Sequence, residues 1–228
     1  MIHSRHVTAL LPLQGASNEP RRNNMRPFVG LPLYQHILRT LDKTYAIDEI
    51  RINTDSAEIQ AEATKLSRKV RVIPRGEELR GDDVSMERII AHDIGVADTD
   101  IVIQTHATNP LVRSDTMAKA LKSFVQAEEH DSLFSVTEHH RRFYDAAGKP
   151  LNHDPKNLVR QRELPPLFED NCCFYVFSKE SFLATNSRIG ASPLLFPIPQ
   201  IESIDIENEF TFRLAELLAG YASHMETD

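Results

Sequence analysis

The chain has only two cysteines, Cys172 and Cys173, and they are adjacent. Neighbours on an extended chain point to opposite faces, so neither a disulfide framework nor a CxxC metal site can be built from them. Reduced, half-buried thiols are expected. Long apolar runs are lacking as well: the longest, Cys172 to Phe177, falls far short of the ~20 residues that a membrane-spanning helix needs. The start, Met1-Ile2-His3-Ser4-Arg5-His6, is polar and leads straight into a strand-like segment, without the apolar stretch of a signal peptide. A cytoplasmic protein is expected. Positive charge is in deficit, with 26 Lys and Arg against 33 Asp and Glu and a formal charge of −7. A protein that lives on nucleic acid or anionic membrane neutralises many phosphates with Lys and Arg, so neither partner is expected. There is no internal repeat, no low-complexity tract and no Ser-His-Asp or Cys-His nucleophile order. The GxxxxGK[ST] and GxGxxG spacings are absent too, which removes the main support for a P-loop ATPase or a dinucleotide dehydrogenase.

The 228 residues, 41% hydrophobic and 26% charged, suit one globular domain over residues 1–228. Val7 to Leu13 is apolar without amphipathic period, as in a strand buried on both faces of a parallel sheet. After the polar loop Gln14 to Met25, the spacing of Leu33, Ile37, Leu38 and Leu41 predicts a helix over Pro32 to Leu41, with Pro in its first turn. The alternation continues with strands at Glu49–Asn53, Val70–Ile73 and Asp100–Gln104. Helices are predicted over Ala57–Leu66, Met86–Ile94 and Asp115–Ala127. This rhythm predicts an α/β fold with a doubly wound, mostly parallel sheet, binding ligands at the carboxyl ends of its strands. From Glu138 to Pro166 the rhythm fails: the stretch is polar, holds four prolines and has no apolar periodicity, as expected of a lid or an arm packed on a partner. Strands at Cys172–Phe177 and Ser203–Glu207 and a helix over Asn208–Gly220 close the chain.

Several stretches carry residue types suited to chemistry. The first loop, Leu13-Gln14-Gly15-Ala16-Ser17 through Asn24, has small residues whose backbone N–H groups can face an anion. Arg21, Arg22 and Arg26 outnumber Glu19 there; a plain surface connection is the alternative. Asp205 and Glu207 stand two apart on an extended segment, hence on one face, where they can share Mg²⁺; an edge strand with its polar face in water is the alternative. Arg160 and Arg162, with His139 to Arg142, gather positive charge in the arm, where a guanidinium fork would match the carboxylate of an α-keto acid or simply face solvent. His106 and Asn109 either bond a polyhydroxylated ligand or cap their own loop.

Taken in order, these segments resemble the N-acylneuraminate cytidylyltransferases, or CMP-sialic acid synthetases, and the related CMP-KDO synthetases. The matching residues begin with Leu11-Pro12-Leu13-Gln14-Gly15-Ala16-Ser17-Asn18, Asn23-Asn24, Gly30-Leu31-Pro32-Leu33, Asn53-Thr54-Asp55 and Arg75 with Glu78-Leu79 and Asp82. They continue with Thr108-Asn109-Pro110-Leu111, Ser135-Val136-Thr137-Glu138, Leu164-Pro165-Pro166 with Glu169 and Asn171, Tyr175, and Ser203-Ile204-Asp205-Ile206-Glu207 with Glu209. The resemblance implies a Rossmann-like fold of the nucleotide-diphospho-sugar transferase type. Residues 138–170 would be an inserted arm that makes a homodimer. It implies CTP and a nine-carbon α-keto acid sugar as substrates, giving a CMP-sugar and pyrophosphate, with Mg²⁺ as cofactor. Leu13, Gln14, Gly15, Ser17, Asn24, Arg75, Val84 and Ser85 would surround the nucleotide, and His106, Asn109, Arg160, Arg162 and Tyr175 the sugar. Asp205 and Glu207 would hold the metal, with Asp205 counted as catalytic beside Arg21 and Arg22. Where the family carries an Arg and two Lys, this chain has Gln14, Asn18 and Asn23, so Arg21 and Arg22 are the nearest replacement cations. Two functions follow: an active cytidylyltransferase for a sialic-acid-like sugar, and a non-catalytic relative that binds nucleotide or sugar without turnover.

Overall fold

The computed structural model describes residues 5–15, 23–81 and 83–225, with 222–225 described by their backbone alone. Strand β1 (Val7–Leu13) is apolar on both faces and buried along nearly its whole length. It is followed by a two-stranded ribbon, β2 (Pro27–Phe28) and β3 (Leu31–Pro32), and by α1 (Leu33–Lys43), β4 (Glu49–Thr54), α2 (Ala57–Leu66) and β5 (Val70–Pro74). Then come α3 (Met86–Gly95), β6 (Ile101–Thr105), α4 (Ser114–Gln126), β7 (Ser132–His139), β8 (Leu167–Ser178), α5 (Lys179–Thr185), β9 (Pro193–Pro197) and α6 (Glu209–Met225).

Apolar spacing and capping explain the helices. In α1, Leu33, Ile37, Leu38 and Leu41 are all buried, and Lys43 stands in the last turn, where a cation suits the helix dipole. Ser56, Ser85 and Ser178 precede α2, α3 and α5, and each accepts a hydrogen bond from the backbone N–H three residues on.

The main sheet has seven strands in the order β5-β4-β1-β6-β8-β7-β9. β1 pairs in parallel with β4 and β6, and β5 extends the row beyond β4. β8 alone runs against its neighbours, so the α/β, mostly parallel sheet expected from the alternation is present. The order turns at β1, whose neighbours on either side are reached by separate crossovers, and ligand clefts open at the carboxyl ends of strands at such a point.

Three features were not legible as predicted elements. Strand β9 (Pro193–Pro197) has proline at both ends, which an edge strand tolerates because its outer N–H groups need no partner. The β2–β3 ribbon turns through Val29 and Gly30, both at positive φ, and so seats Phe28 against Leu33, Ile206, Phe212 and Ala215. The segment expected as a strand at Ser203–Glu207 is irregular instead. Its backbone is pinned by hydrogen bonds from the Ile206 N–H to the Thr108 carbonyl, 2.9 Å, and from the Glu207 N–H to Thr211 Oγ1, 3.0 Å.

The cysteines also differ from expectation. Cys172 takes a left-handed φ of 56° where the β7–β8 register shifts, and Cys173 is fully buried, not half-buried. Burial raises both thiol pKa values, so neither is a ready thiolate. The arm between β7 and β8 carries little regular structure, with isolated bridges at Tyr144–Pro150 and Asp154–Asn157. Tyr144, Leu151 and Leu158 on it are exposed. Among the described residues no helix is long and apolar enough to cross a membrane.

Candidate functional site

The carboxyl ends of β1, β5 and β6 open onto a cleft of about 420 Å³, lined by Pro12, Gln14, Asn24, Arg75, Val84, His106, Asp205 and Glu207 among others. A second cleft, of about 330 Å³, is lined by Thr137, Glu169, Asp170, Asn171 and Ser203. It shares Cys172, Asp205 and Glu207 with the first. Two chambers therefore meet at one pair of carboxylates. A larger hollow of about 790 Å³ lies near the start of β6 and the end of β8 and contains none of the predicted site residues.

Arg75 follows β5 and is only 3% exposed. Its Nε donates to Asn53 Oδ1 at 2.7 Å and its Nη2 to the Asn53 carbonyl at 2.9 Å. Asn53 Nδ2 in turn donates to Asp93 Oδ1 at 2.6 Å. A buried chain from Asp93 through Asn53 thus holds the guanidinium at the cleft wall. Burial lowers the Arg75 pKa, while Asp55 and Asp93 act in the opposite sense.

The first loop is only partly described. Asn24 Nδ2 donates to the Gln14 carbonyl at 2.9 Å, and Gly15 N–H donates to Asp55 Oδ1 at 2.6 Å. Leu13 is buried in the main core, Val84 stands in the cleft wall, and the Ser85 hydroxyl caps α3. Arg26 is committed away from the cleft: it grips Glu209 through two hydrogen bonds of 2.7 and 2.9 Å and lies 3.6 Å over the Phe212 ring. Ser17, Arg21 and Arg22 lie outside the described residues.

Asp205 and Glu207 reach the cleft because Ile206 between them points into the core, fully buried against Phe28, Leu33, Phe212 and Ala215. Among the described residues no group of three His, Cys, Asp or Glu side chains could hold a metal ion. Two carboxylates nevertheless fit Mg²⁺, which commonly takes one or two from the protein and the rest of its ligands from phosphates and water. Ile206→Ala is expected to cost about 2–4 kcal/mol, as a cavity in a closed cluster does, with the loss read from denaturant unfolding.

On the other wall, His106 stands in the first cleft, and Gln104 Nε2 lies 3.1 Å from His106 Nε2. Its pKa is pushed down to about 3, by burial first and by the charge of Arg188 second. Tyr175 is buried on β8 and donates its hydroxyl to the Asp170 carboxylate at 2.9 and 3.0 Å. Burial raises the Tyr175 pKa, so it stays a phenol. Asn109 is fully buried, with Nδ2 3.5 Å from Cys173 Sγ, and braces the loop behind the cleft without lining it. Arg160 and Arg162 are exposed on the arm and reach neither cleft of their own chain.

Two residues were missed. Asp93 is visible in hindsight, because a carboxylate falls at the buried positions of α3 beside Ile89, Ile90 and Ile94. Arg188 sits in the irregular link before β9, where no periodicity marks it. Its Cζ lies 4.0 Å over the Tyr175 ring, and its Nη1 donates to Gln104 Oε1 at 2.9 Å.

An α/β sheet with a polar cleft at a topological switch point, faced by a buried arginine and two carboxylates, places this chain among the doubly wound α/β proteins, which take ligands at the carboxyl ends of their strands. The cytidylyltransferase family profile matches residues 20–194, and the chain belongs to that family. It is 23% identical over 221 residues to N-acylneuraminate cytidylyltransferase A of Danio rerio, covering 93% of this chain and 50% of that protein. It is 24% identical over 220 residues to pseudaminic acid cytidylyltransferase of Campylobacter jejuni, covering 92% and 94%. The chain thus spans about half the length of the first and nearly all of the second. In fold it is similar to CMP:2-keto-3-deoxy-manno-octonic acid synthetase solved with CTP, at a TM-score of 0.66 and 11% identity over 95% of this chain and 99% of that one. The 4-diphosphocytidyl-2C-methyl-D-erythritol synthase of Anaerococcus prevotii matches equally well, at 0.66 and 11% over 96% and 98%.

Proposed function

We propose that this chain joins CTP to a sialic-acid-like nine-carbon α-keto acid, forming the CMP-sugar and releasing pyrophosphate. The observation that carries this reading is the meeting of two clefts at Asp205 and Glu207, one walled by Arg75 and the other by polar groups of β7 and β8. A nucleotide in the first and a sugar in the second would bring the anomeric hydroxyl to the α-phosphorus at their junction. The new P–O bond forms as the bond to pyrophosphate breaks, and the hydroxyl proton passes to water. The names of the Danio and Campylobacter relatives support both substrates. Mg²⁺ held by Asp205 and Glu207 would neutralise phosphate charge. Arg75 orients the nucleotide from its fixed position, and Arg21 and Arg22 supply the cations that Gln14 and Asn23 do not.

The arm would act on a second copy. Residues 140–166 carry Arg141, Arg142, Lys149, Lys156, Arg160 and Arg162 against Asp145, Asp154 and Glu163. The second cleft is lined by Glu169, Asp170, Asp205 and Glu207. A sugar acid entering so acidic a chamber needs positive charge, and a partner's arm is suited to bring it. Sedimentation at micromolar concentration is expected to give a dimer, and a monomer would overturn this part.

The reading is tested by pyrophosphate release with CTP, Mg²⁺ and a panel of nonulosonic acids, alongside melting curves. CTP is expected to raise the melting temperature more than ATP, GTP or UTP. A CTP-selective shift with no pyrophosphate from any acid would mark the chain as a non-catalytic binder; equal shifts from all four nucleotides would remove the reading altogether. Arg21→Ala with Arg22→Ala is expected to remove most turnover.

A further inference from the structure

Gln104 and Tyr175 face each other across the β6–β8 pairing, and both hold Arg188: the ring from beneath at 4.0 Å, the amide oxygen through a 2.9 Å hydrogen bond. That contact settles which way the Gln104 amide points. A guanidinium has donors only, so the amide atom facing Arg188 must be the oxygen. The amide nitrogen therefore faces the other way, where it meets the Thr105 carbonyl at 3.0 Å and His106 Nε2 at 3.1 Å. An amide nitrogen cannot accept, so His106 Nε2 must be the acceptor and carries no proton. In a neutral imidazole the proton is then on Nδ1, which meets no acceptor among the described residues. A second proton on the ring would face the amide N–H head on, and the nearby Arg188 charge opposes it too; the low pKa of His106 agrees.

We infer that Arg188, acting through Gln104, is a positioning residue that locks His106 in its Nδ1–H tautomer, so that His106 presents a hydrogen-bond donor to an acceptor oxygen of the ligand in the cleft. Resting on the two-cleft reading above, which puts the nucleotide in the cleft that His106 lines, that oxygen belongs to a phosphate, the ribose or the base carbonyl of CTP. The lock itself is a property of the free protein. A ligand offering only a donor at this point leaves two N–H groups opposed and is rejected.

Two-bond ¹H–¹⁵N spectra distinguish the tautomers directly. Of the ten histidines, His106 is identified by the signal lost in His106→Gln. The expected wild-type result is neutral imidazole with the proton on Nδ1. In Gln104→Glu, the new carboxylate still accepts from Arg188 but cannot donate to the ring, so the proton is expected to appear on Nε2. Arg188→Met is expected to give a mixture of tautomers, and Arg188→Lys, which keeps a cationic donor, to retain Nδ1–H. A wild-type proton on Nε2, or an unchanged tautomer in Gln104→Glu, overturns the inference. Because the readout follows a single ring in the folded protein, a variant that fails to fold is recognised from its spectrum, and the remaining substitutions decide. With whichever nonulosonic acid turns over, Arg188→Met is expected to raise the KM for CTP by about tenfold, the scale of one lost hydrogen bond, and to leave the KM for the acid within about twofold. An unchanged CTP KM in a protein whose tautomer has shifted would overturn the contact with the nucleotide. A tautomer that behaves as expected in a protein that turns over no acid would uphold the lock and overturn the sugar-acid reading.

Discussion

Asp205→Asn is expected to lower turnover by about 10²- to 10³-fold, while the melting temperature moves by no more than about 2 °C. The substitution keeps the shape and the hydrogen-bonding reach of the side chain and removes only its charge. The position of the segment is set by its neighbour: Ile206 is fully buried in the cluster of Phe28, Leu33, Phe212 and Ala215, and its N–H is bonded to the Thr108 carbonyl. A carboxylate whose work is to hold a cation against phosphates contributes to rate and little to the core. Glu207→Gln is expected to act in the same direction. The check is initial rate across a Mg²⁺ series beside a melting curve. Near-wild-type turnover at saturating Mg²⁺ would exclude the role, and a large fall in melting temperature would assign the residue to folding instead.

Much of this was legible because the relevant signals are local. The parallel half of the sheet follows from short apolar runs separated by helical spacings, whereas Arg75 was named by the family resemblance alone, and the structure puts it just beyond β5. What was not legible depends on partners distant in sequence. Asp205 and Glu207 share a cleft, but not through the strand alternation expected; Ile206 is held by residues more than 170 positions away on the β2–β3 ribbon and α1. Arg26 looks like a free cation of the first loop until Glu209, on α6, takes it. Arg188 has no pattern of its own and acquires meaning only from the β6–β8 pairing that puts Gln104 opposite Tyr175. Cys172 departs from extended geometry because β7 and β8 lose register between Phe134 and Val136, a fault set by both strands together.

Arg75→Met is expected to weaken CTP binding by at least about 10²-fold and also to destabilise the protein by about 3–5 kcal/mol. The second effect follows from what Arg75 leaves behind. Asn53 Oδ1 and the Asn53 carbonyl both lose their donor, and Asp93, 1% exposed, loses the positive charge that offsets its own. Burial already holds the Asp93 pKa above the usual carboxylate range, against the opposing hydrogen bonds of Asn53 and His92 and the charge of Arg75. Without Arg75 that pKa rises further. A carboxyl whose folded pKa lies above its unfolded value binds more protons when folded, so stability falls as pH climbs through the window between the two. The variant is therefore expected to be relatively more stable in mild acid than at neutral pH, and its stability optimum to lie below that of the wild type. Arg75→Met with Asp93→Leu separates the two roles of the arginine. Removing both charges from a buried network is close to neutral for folding, so most of the lost stability is expected to return and the shifted pH optimum to disappear. CTP affinity is expected to stay low, because the cation proposed to face the nucleotide is still absent. Recovery of CTP affinity together with stability would mean that Arg75 serves the fold alone and that the phosphates are held elsewhere on the cleft.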